Sequence, residues 1–248
     1  MKTTKLFLAA CLLSIAVACN DDDDSSSAMT SEEAADVIGS SLAVNSSGLT
    51  TVVNASVDGT DAALESSDGG RTAACGYTNQ LTFAATSLPG ALITYAYDYN
   101  YSYILTCGND VPQSFAATVA YSGQFDAPRL ASQHSGTSEL TVTALDDEAT
   151  SYIINGGYNR SGSFQSKIRN KNSSTSTVDF SVNDLTVDKT SQKILSGSAS
   201  VTITGSVTGK GSFTYTATIV FEGDGTAKVT INGTVYIVDL TTGTAEAA

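Results

Sequence analysis

Across residues 77–240 apolar and polar side chains alternate with a period of two, the signature of strands with one buried face. The clearest run is residues 93–105, where every odd position is Ile, Tyr or Leu and most even positions are polar or small. It is more than twice the roughly five or six residues of an ordinary strand. Further strands are predicted at 77–86, 114–125, 138–144, 151–158, 163–169, 175–187, 193–207, 211–222 and 226–240. Gly223-Asp224-Gly225 supplies a turn, and Asn232-Gly233 marks either a second turn or a kink within one strand. Ahead of the strands the period is helical. Thr30 and Glu33 stand at capping-box spacing, followed by Ala34, Val37, Ile38 and Leu42; Leu49, Val52, Val53 and Val57 repeat the spacing after Gly48. Residues 58–71 read as a loop with a short helical turn near Leu64. About ten consecutive strands without a helical interruption predict a mainly β fold, a long-stranded antiparallel meander with a short helical N-terminal region. Periodicity leaves open a curved sheet or half-barrel with helices over its concave side, or a two-sheet sandwich.

The start of the chain has a different character. Met1-Lys2-Thr3-Thr4-Lys5 is basic, and residues 6–18 are almost wholly apolar. That run is shorter than the about 20 residues needed to span a bilayer and suits a secretory signal peptide. Cys11 and Cys19 compete for the processing site. Cutting before Cys11 would strand apolar residues 12–18 on the mature chain, whereas cutting before Cys19 uses the whole run. Residues 16–19, Ala-Val-Ala-Cys, resemble the processing site of bacterial lipoproteins. That resemblance implies a diacylglycerol on Cys19 and a membrane partner through its acyl chains. Asn20 and Asp21, Asp22, Asp23 and Asp24 are similar to the acidic export tag of Bacteroidota lipoproteins, which implies an outer-membrane protein at the cell surface, with a periplasm-facing one as the alternative. The expected organisation is a signal peptide at 1–18, a lipidated acidic tether at 19–30, a helical segment at 31–65, a β domain at 75–240 and a flexible tail at 241–248.

Export changes the reading of the remaining cysteines. Disulfides persist outside the cytoplasm, and beyond Cys11 and Cys19 only Cys75 and Cys107 remain, so they are expected to pair. If Cys75 faces Cys107, opposed residues of the first two strands sum to 182: Leu81 meets Tyr101 and Phe83 meets Tyr99. A two-residue Pro89-Gly90 turn would set apolar residues opposite polar ones, a slip that a buried face forbids. A longer loop around Leu88 is therefore predicted. Loss of Lys2 and Lys5 with the signal takes the formal charge from −13 to −15. Nucleic-acid partners are excluded, because they are held by Lys and Arg on phosphates.

Candidate chemistry is sparse. The single His134 lies in the turn-like string Ser132-Gln133-His134-Ser135-Gly136 and is expected to be exposed; there is no Gly-x-Ser-x-Gly elbow, phosphate loop or two-His metal motif. No catalytic constellation, metal site or cofactor is expected. Asp146-Asp147-Glu148 reads as a solvated turn. Lys167, Arg169 and Lys171 alternate, so in a strand they share one face, either an anion-binding stripe or the wet side of an edge strand. Tyr95, Tyr97, Tyr99, Tyr101 and Tyr103 form the other distinctive row. They line a core, or else a partly open concavity for an amphipathic or apolar ligand, since a closed core would have to satisfy each phenol. The sequence thus points to an outer-membrane-anchored lipoprotein and leaves the function of its domain open: binding of an amphipathic or apolar ligand, a lipid or a glycan, is the first reading, and an adhesin or glycan-binding module and a structural envelope protein are the alternatives.

Overall fold

The computed structural model describes residues 28–65 and 75–248. Cys11, Cys19, the signal and the acidic tether lie outside the described residues.

Two helices precede the sheet: α1 (Ser31–Leu42) and α2 (Leu49–Glu65), joined by a 3-10 turn at Val44–Ser46. The capping box is present. Thr30 Oγ1 accepts from Glu33 N at 3.2 Å, and Thr30 N donates to Glu33 Oε2 at 3.1 Å. Of the loop expected at 58–71, residues 58–65 are instead the last two turns of α2, where Asp58 and Asp61 accept from Gln192 Nε2, and the rest lies outside the described residues.

Eleven strands follow in one antiparallel sheet whose spatial order is the sequence order. They are β1 (Thr78–Thr86), β2 (Thr94–Gly108), β3 (Val111–Asp126), β4 (Leu130–Thr143), β5 (Ser151–Ser166), β6 (Ser173–Asp188), β7 (Ile194–Val207), β8 (Gly211–Phe221), β9 (Thr226–Ile231), β10 (Thr234–Asp239) and β11 (Ala245–Ala247). A single sequential sheet excludes the sandwich. Asn232-Gly233 is a true hairpin turn, with φ of 48° and 81°, the doubly left-handed geometry that this dipeptide favours. β4 and β5 each run on through segments where apolar alternation fails. The expected flexible tail is in part β11, which pairs with β10.

The sheet curls around the helices without closing. Arg129 Nη2, in the β3–β4 turn, donates to Ala245 O of β11 at 3.4 Å, although seven strands separate the two along the sheet. The helices fill the concave face and the core lies between them and the inward side chains. The register of the first hairpin is the expected one: Leu81 opposes Tyr101 and Phe83 opposes Tyr99. Cys75 and Cys107 are joined, with Cα atoms 5.4 Å apart. Closing a loop over this separation of 32 residues restricts the unfolded chain, so replacing both cysteines by Ser is expected to lower the unfolding free energy by about 3–4 kcal/mol. Urea melts of oxidised wild type and double variant measure it, and equal midpoints would remove the disulfide's stabilising role.

Candidate functional site

The tyrosine row is buried. Tyr97, Tyr99, Tyr101 and Tyr103 lie beneath the helices and only Tyr95 is half-exposed. The expected open concavity is therefore filled by the chain's own helical segment. The reason lies at the corner between α1 and α2. A helix end leaves carbonyls without intrahelical partners, and this corner is inside the core. Tyr97 donates to Ser46 O at 2.9 Å, Tyr99 to Ser47 Oγ at 2.5 Å and Tyr158 to Ser47 O at 2.9 Å. Arg160 Nη1 donates to Ser40 O at 2.7 Å and to Ser46 O at 3.3 Å. Tyr97 and Tyr158 thus satisfy buried backbone, Tyr99 meets a buried hydroxyl and Tyr103 donates to Ala55 O at 3.4 Å, whereas the buried Tyr101 hydroxyl has no partner among the described residues. Burial pushes Tyr99 and Tyr103 up to about 12.

Arg160 is fully buried between the rings of Phe125 and Phe164, at 5.3 and 5.4 Å from their centroids. No carboxylate contacts it among the described residues. Its charge is instead met by carbonyls at the C-terminal end of α1, where the helix dipole favours a cation. Arg160 Nη2 also donates to His134 Nδ1 at 3.1 Å. A guanidinium only donates, so Nδ1 is the lone-pair nitrogen and His134 is neutral. His134 is buried in the middle of β4, not exposed in a turn. Burial first and Arg160 second hold its pKa far below the ordinary 6.5.

The basic stripe is not a strand face. β5 ends at Ser166, and Arg169 and Lys171 have φ of 49° and 52° in the turn that follows. Arg169 pairs with Glu32 at 2.6 Å and Asp36 at 2.5 Å; Lys167 pairs with Asp126. Two of the three cations are thereby neutralised, and Lys171 alone stays without an ionic partner among the described residues. Asp146 accepts from Ala149 N in its turn, and no cluster of three metal-ligating side chains occurs among the described residues.

What remains open is the helix-free face. A concavity of about 630 Å³ is lined by Ala96, Gln124, Gln133, Ser163, Gln165 and Thr175, among others; a second, of about 580 Å³, shares Ala96, Gln124 and Gln133 and continues over Asp98, Ser122, Ser135 and Ser161. Together they form one polar trough across β2 to β6. Its floor includes Gly123, His134 and Gly162. These belong to a continuous cross-strand row: Tyr97, Gly123, His134, Gly162, Ser176, Gly205 and Phe213. On the inner face the large members cover the glycines. A Cβ on Gly123 would collide with Tyr97 and Ala96 O, and one on Gly162 with His134 and Gln133 O. The side chains of Gln124 and Gln133 oppose each other across β3 and β4 and have no hydrogen-bond partner among the described residues. The sequence reading missed this site because each side chain in it is an ordinary outward strand residue; only the cross-strand register assembles them.

No family model, curated protein or solved structure matches the chain.

His134 makes acid stability measurable. Neutral when folded, it takes a proton in the unfolded chain below its ordinary pKa of 6.5. Stability is therefore full above that pH and is lost as pH falls through it. A loss of about 2 kcal/mol between pH 7 and pH 5 is expected, read from urea midpoints, and His134→Asn should flatten the slope. An equal slope in the variant would assign the proton uptake to another group.

Proposed function

We propose that the chain is a non-enzymatic lipoprotein, anchored to the outer membrane through Cys19, whose helix-free face binds a hydroxyl-rich ligand such as a glycan. The observation that supports it is the trough. It is wide, open and lined by short hydroxyls, amides and the carboxylates of Asp98 and Asp126, which suit sugar hydroxyls better than an acyl chain. The competing amphipathic-ligand reading has less support, because four of the five tyrosines that motivated it are buried beneath the helices, Tyr97 and Tyr99 bonding the α1–α2 corner and Tyr103 bonding Ala55 O of α2. Asp98 and Asp126 in the trough disfavour a phosphate-rich ligand at this site.

Two experiments test the halves separately. Cys19→Ser is expected to lose fatty-acid label and release the protein from membranes, while Cys11→Ser keeps both; the opposite result would move the anchor. On a glycan array the wild-type chain should retain at least one sugar. Gln124→Ala combined with Gln133→Ala should weaken that binding by about tenfold, as loss of two ordinary hydrogen bonds implies, with stability unchanged within about 0.5 kcal/mol. An array that retains nothing, or a double variant that binds as wild type, would end the glycan reading.

A further inference from the structure

Large apolar side chains are rarely left in water at a loop tip. In the β1–β2 connection Leu88 and Leu92 are 80% and 82% exposed, on either side of Pro89-Gly90. Neither is needed for the hairpin, whose register is set by the strands and the disulfide. In an antiparallel meander alternate connections share a rim. The β1–β2 tip therefore lies on the same rim as the β3–β4, β5–β6 and β7–β8 turns, which hold Arg129, Lys167, Arg169, Lys171 and Lys210. Lys171 and Lys210 are exposed and have no ionic partner among the described residues. The opposite rim, at the β2–β3, β4–β5, β6–β7 and β8–β9 turns and the end of α2, holds Asp110, Asp146, Asp147, Glu148, Glu222, Asp224 and Glu65 beside Lys189 and Lys193, and so carries an excess of acid. Arg129, Lys167 and Arg169 are paired with Asp36, Asp126 and Glu32, so the first rim differs from the acidic one by its two free lysines and by the two most exposed large apolar side chains among the described residues; apolar residues near the other rim, such as Val111 and Leu195, are 55% and 42% exposed.

The polypeptide enters at the first rim. Met29 lies beside Leu130, Phe164 and Asn172, and Glu33 accepts from Asn172 Nδ2 at 2.8 Å. Only residues 20–27 separate Ala28 from Cys19, a span of at most about 30 Å at full extension. Any membrane holding Cys19 is therefore within reach of this rim.

We infer that the β1–β2 tip is a membrane-docking element: Leu88 and Leu92 enter the lipid surface while Lys171 and Lys210 face anionic headgroups. The inference rests on the anchoring reading and adds an orientation, with the helix-free trough standing across the membrane normal and not pressed against the bilayer. Side-chain burial favours insertion and the acidic rim disfavours the inverted pose. The occupant is a bilayer because the two most exposed leucines and two unpaired lysines lie on the rim where the chain enters from Cys19.

The full chain with Cys19→Ser, which has no acyl chains, is expected to co-sediment with phosphatidylethanolamine–phosphatidylglycerol vesicles at low salt. Adding Leu88→Ser and Leu92→Ser should weaken this by about tenfold; Lys171→Glu with Lys210→Glu should weaken it on these vesicles but not on phosphatidylcholine. The chain has no Trp, so Leu92→Trp is a clean reporter in the acylated protein. Its emission should shift to the blue and be quenched by brominated acyl chains, whereas Val220→Trp, on the outer sheet face, should do neither. An unquenched Leu92→Trp, or equal sedimentation with and without the leucines, would overturn the inference. So would a blue shift that appears without vesicles and grows with concentration, which would assign the leucines to a second copy of the chain. Failure of acylation would appear separately, as absent fatty-acid label, and would leave the comparison of unacylated chains intact.

Discussion

The corner between α1 and α2 is buried, and its backbone carbonyls must find donors inside the protein. Ser40, Ser46 and Ser47 present buried carbonyls that no further helical turn satisfies, and within the corner itself Ser46 Oγ serves Ser40 O. An unpaired buried carbonyl costs on the order of 1–3 kcal/mol, so several together would defeat the packing of the helices on the sheet. Tyr97, Tyr158 and Arg160 supply the donors from three different sheet positions. Each has a long, largely apolar side chain with its polar group at the tip, so it crosses the apolar layer and still reaches the corner. The arrangement fixes helix position as well as helix presence. A corner displaced by a few ångströms would break several bonds at once, whereas an apolar contact would tolerate the slide.

That polar corner explains where the sequence was legible and where it was not. The long alternation of β2, the capping box, the Cys75–Cys107 pair and the register it imposes were all readable, because each depends on nearby residues or on the parity of one hairpin. The segments that broke the pattern, residues 130–137 and 159–162, are strand too. Their inward positions are Ser132, His134, Gly136, Arg160 and Gly162, which face the corner and the row of close approaches beside it. Inward polarity there reads as a loop when the partner carbonyls are unknown. His134 looked exposed for the same reason. The tyrosine row was left between a core lining and an open ligand face because one term was missing: phenols in a core need acceptors, and for Tyr97 and Tyr99 the α1–α2 corner brings them from about fifty residues away. Lys167, Arg169 and Lys171 failed differently. Their alternation imitates a strand, but the backbone turns into the left-handed region directly after Ser166.

The glycine row links the interior to the open face. Strong curling of a sheet crowds its concave side, and removing Cβ atoms at Gly123, Gly162 and Gly205 lets neighbouring strands approach there. Tyr97, His134 and Phe213 then lie over the gaps, which restores contact on the inner face. On the outer face the same row is bare backbone, flanked by rows of Ser, Thr, Ala and Gln. A curled sheet that must enclose two helices therefore produces, on its reverse, a trough without bulky side chains. The site is a by-product of curvature until its short polar residues are given a ligand.

The two edges of the sheet are managed unequally, and this bears on how the domain meets its surroundings. One edge ends in β11, three residues long and paired on one side with β10, a brief edge that offers little for another chain to extend. The other is β1, nine residues long, with Leu81 and Phe83 each about half exposed. Phe83 stacks on Tyr99 and Tyr101 at 5.1 and 5.5 Å, so its ring closes the end of the tyrosine layer where the helices no longer cover it. Its exposure is the cost of sealing the core at an edge. Among the described residues no such contact accounts for Leu88 and Leu92, which lie beyond the end of the aromatic layer. The distinction between apolar exposure that closes a core and apolar exposure that closes nothing is what separates the edge strand, a structural margin, from the loop at its end, whose two leucines stay exposed.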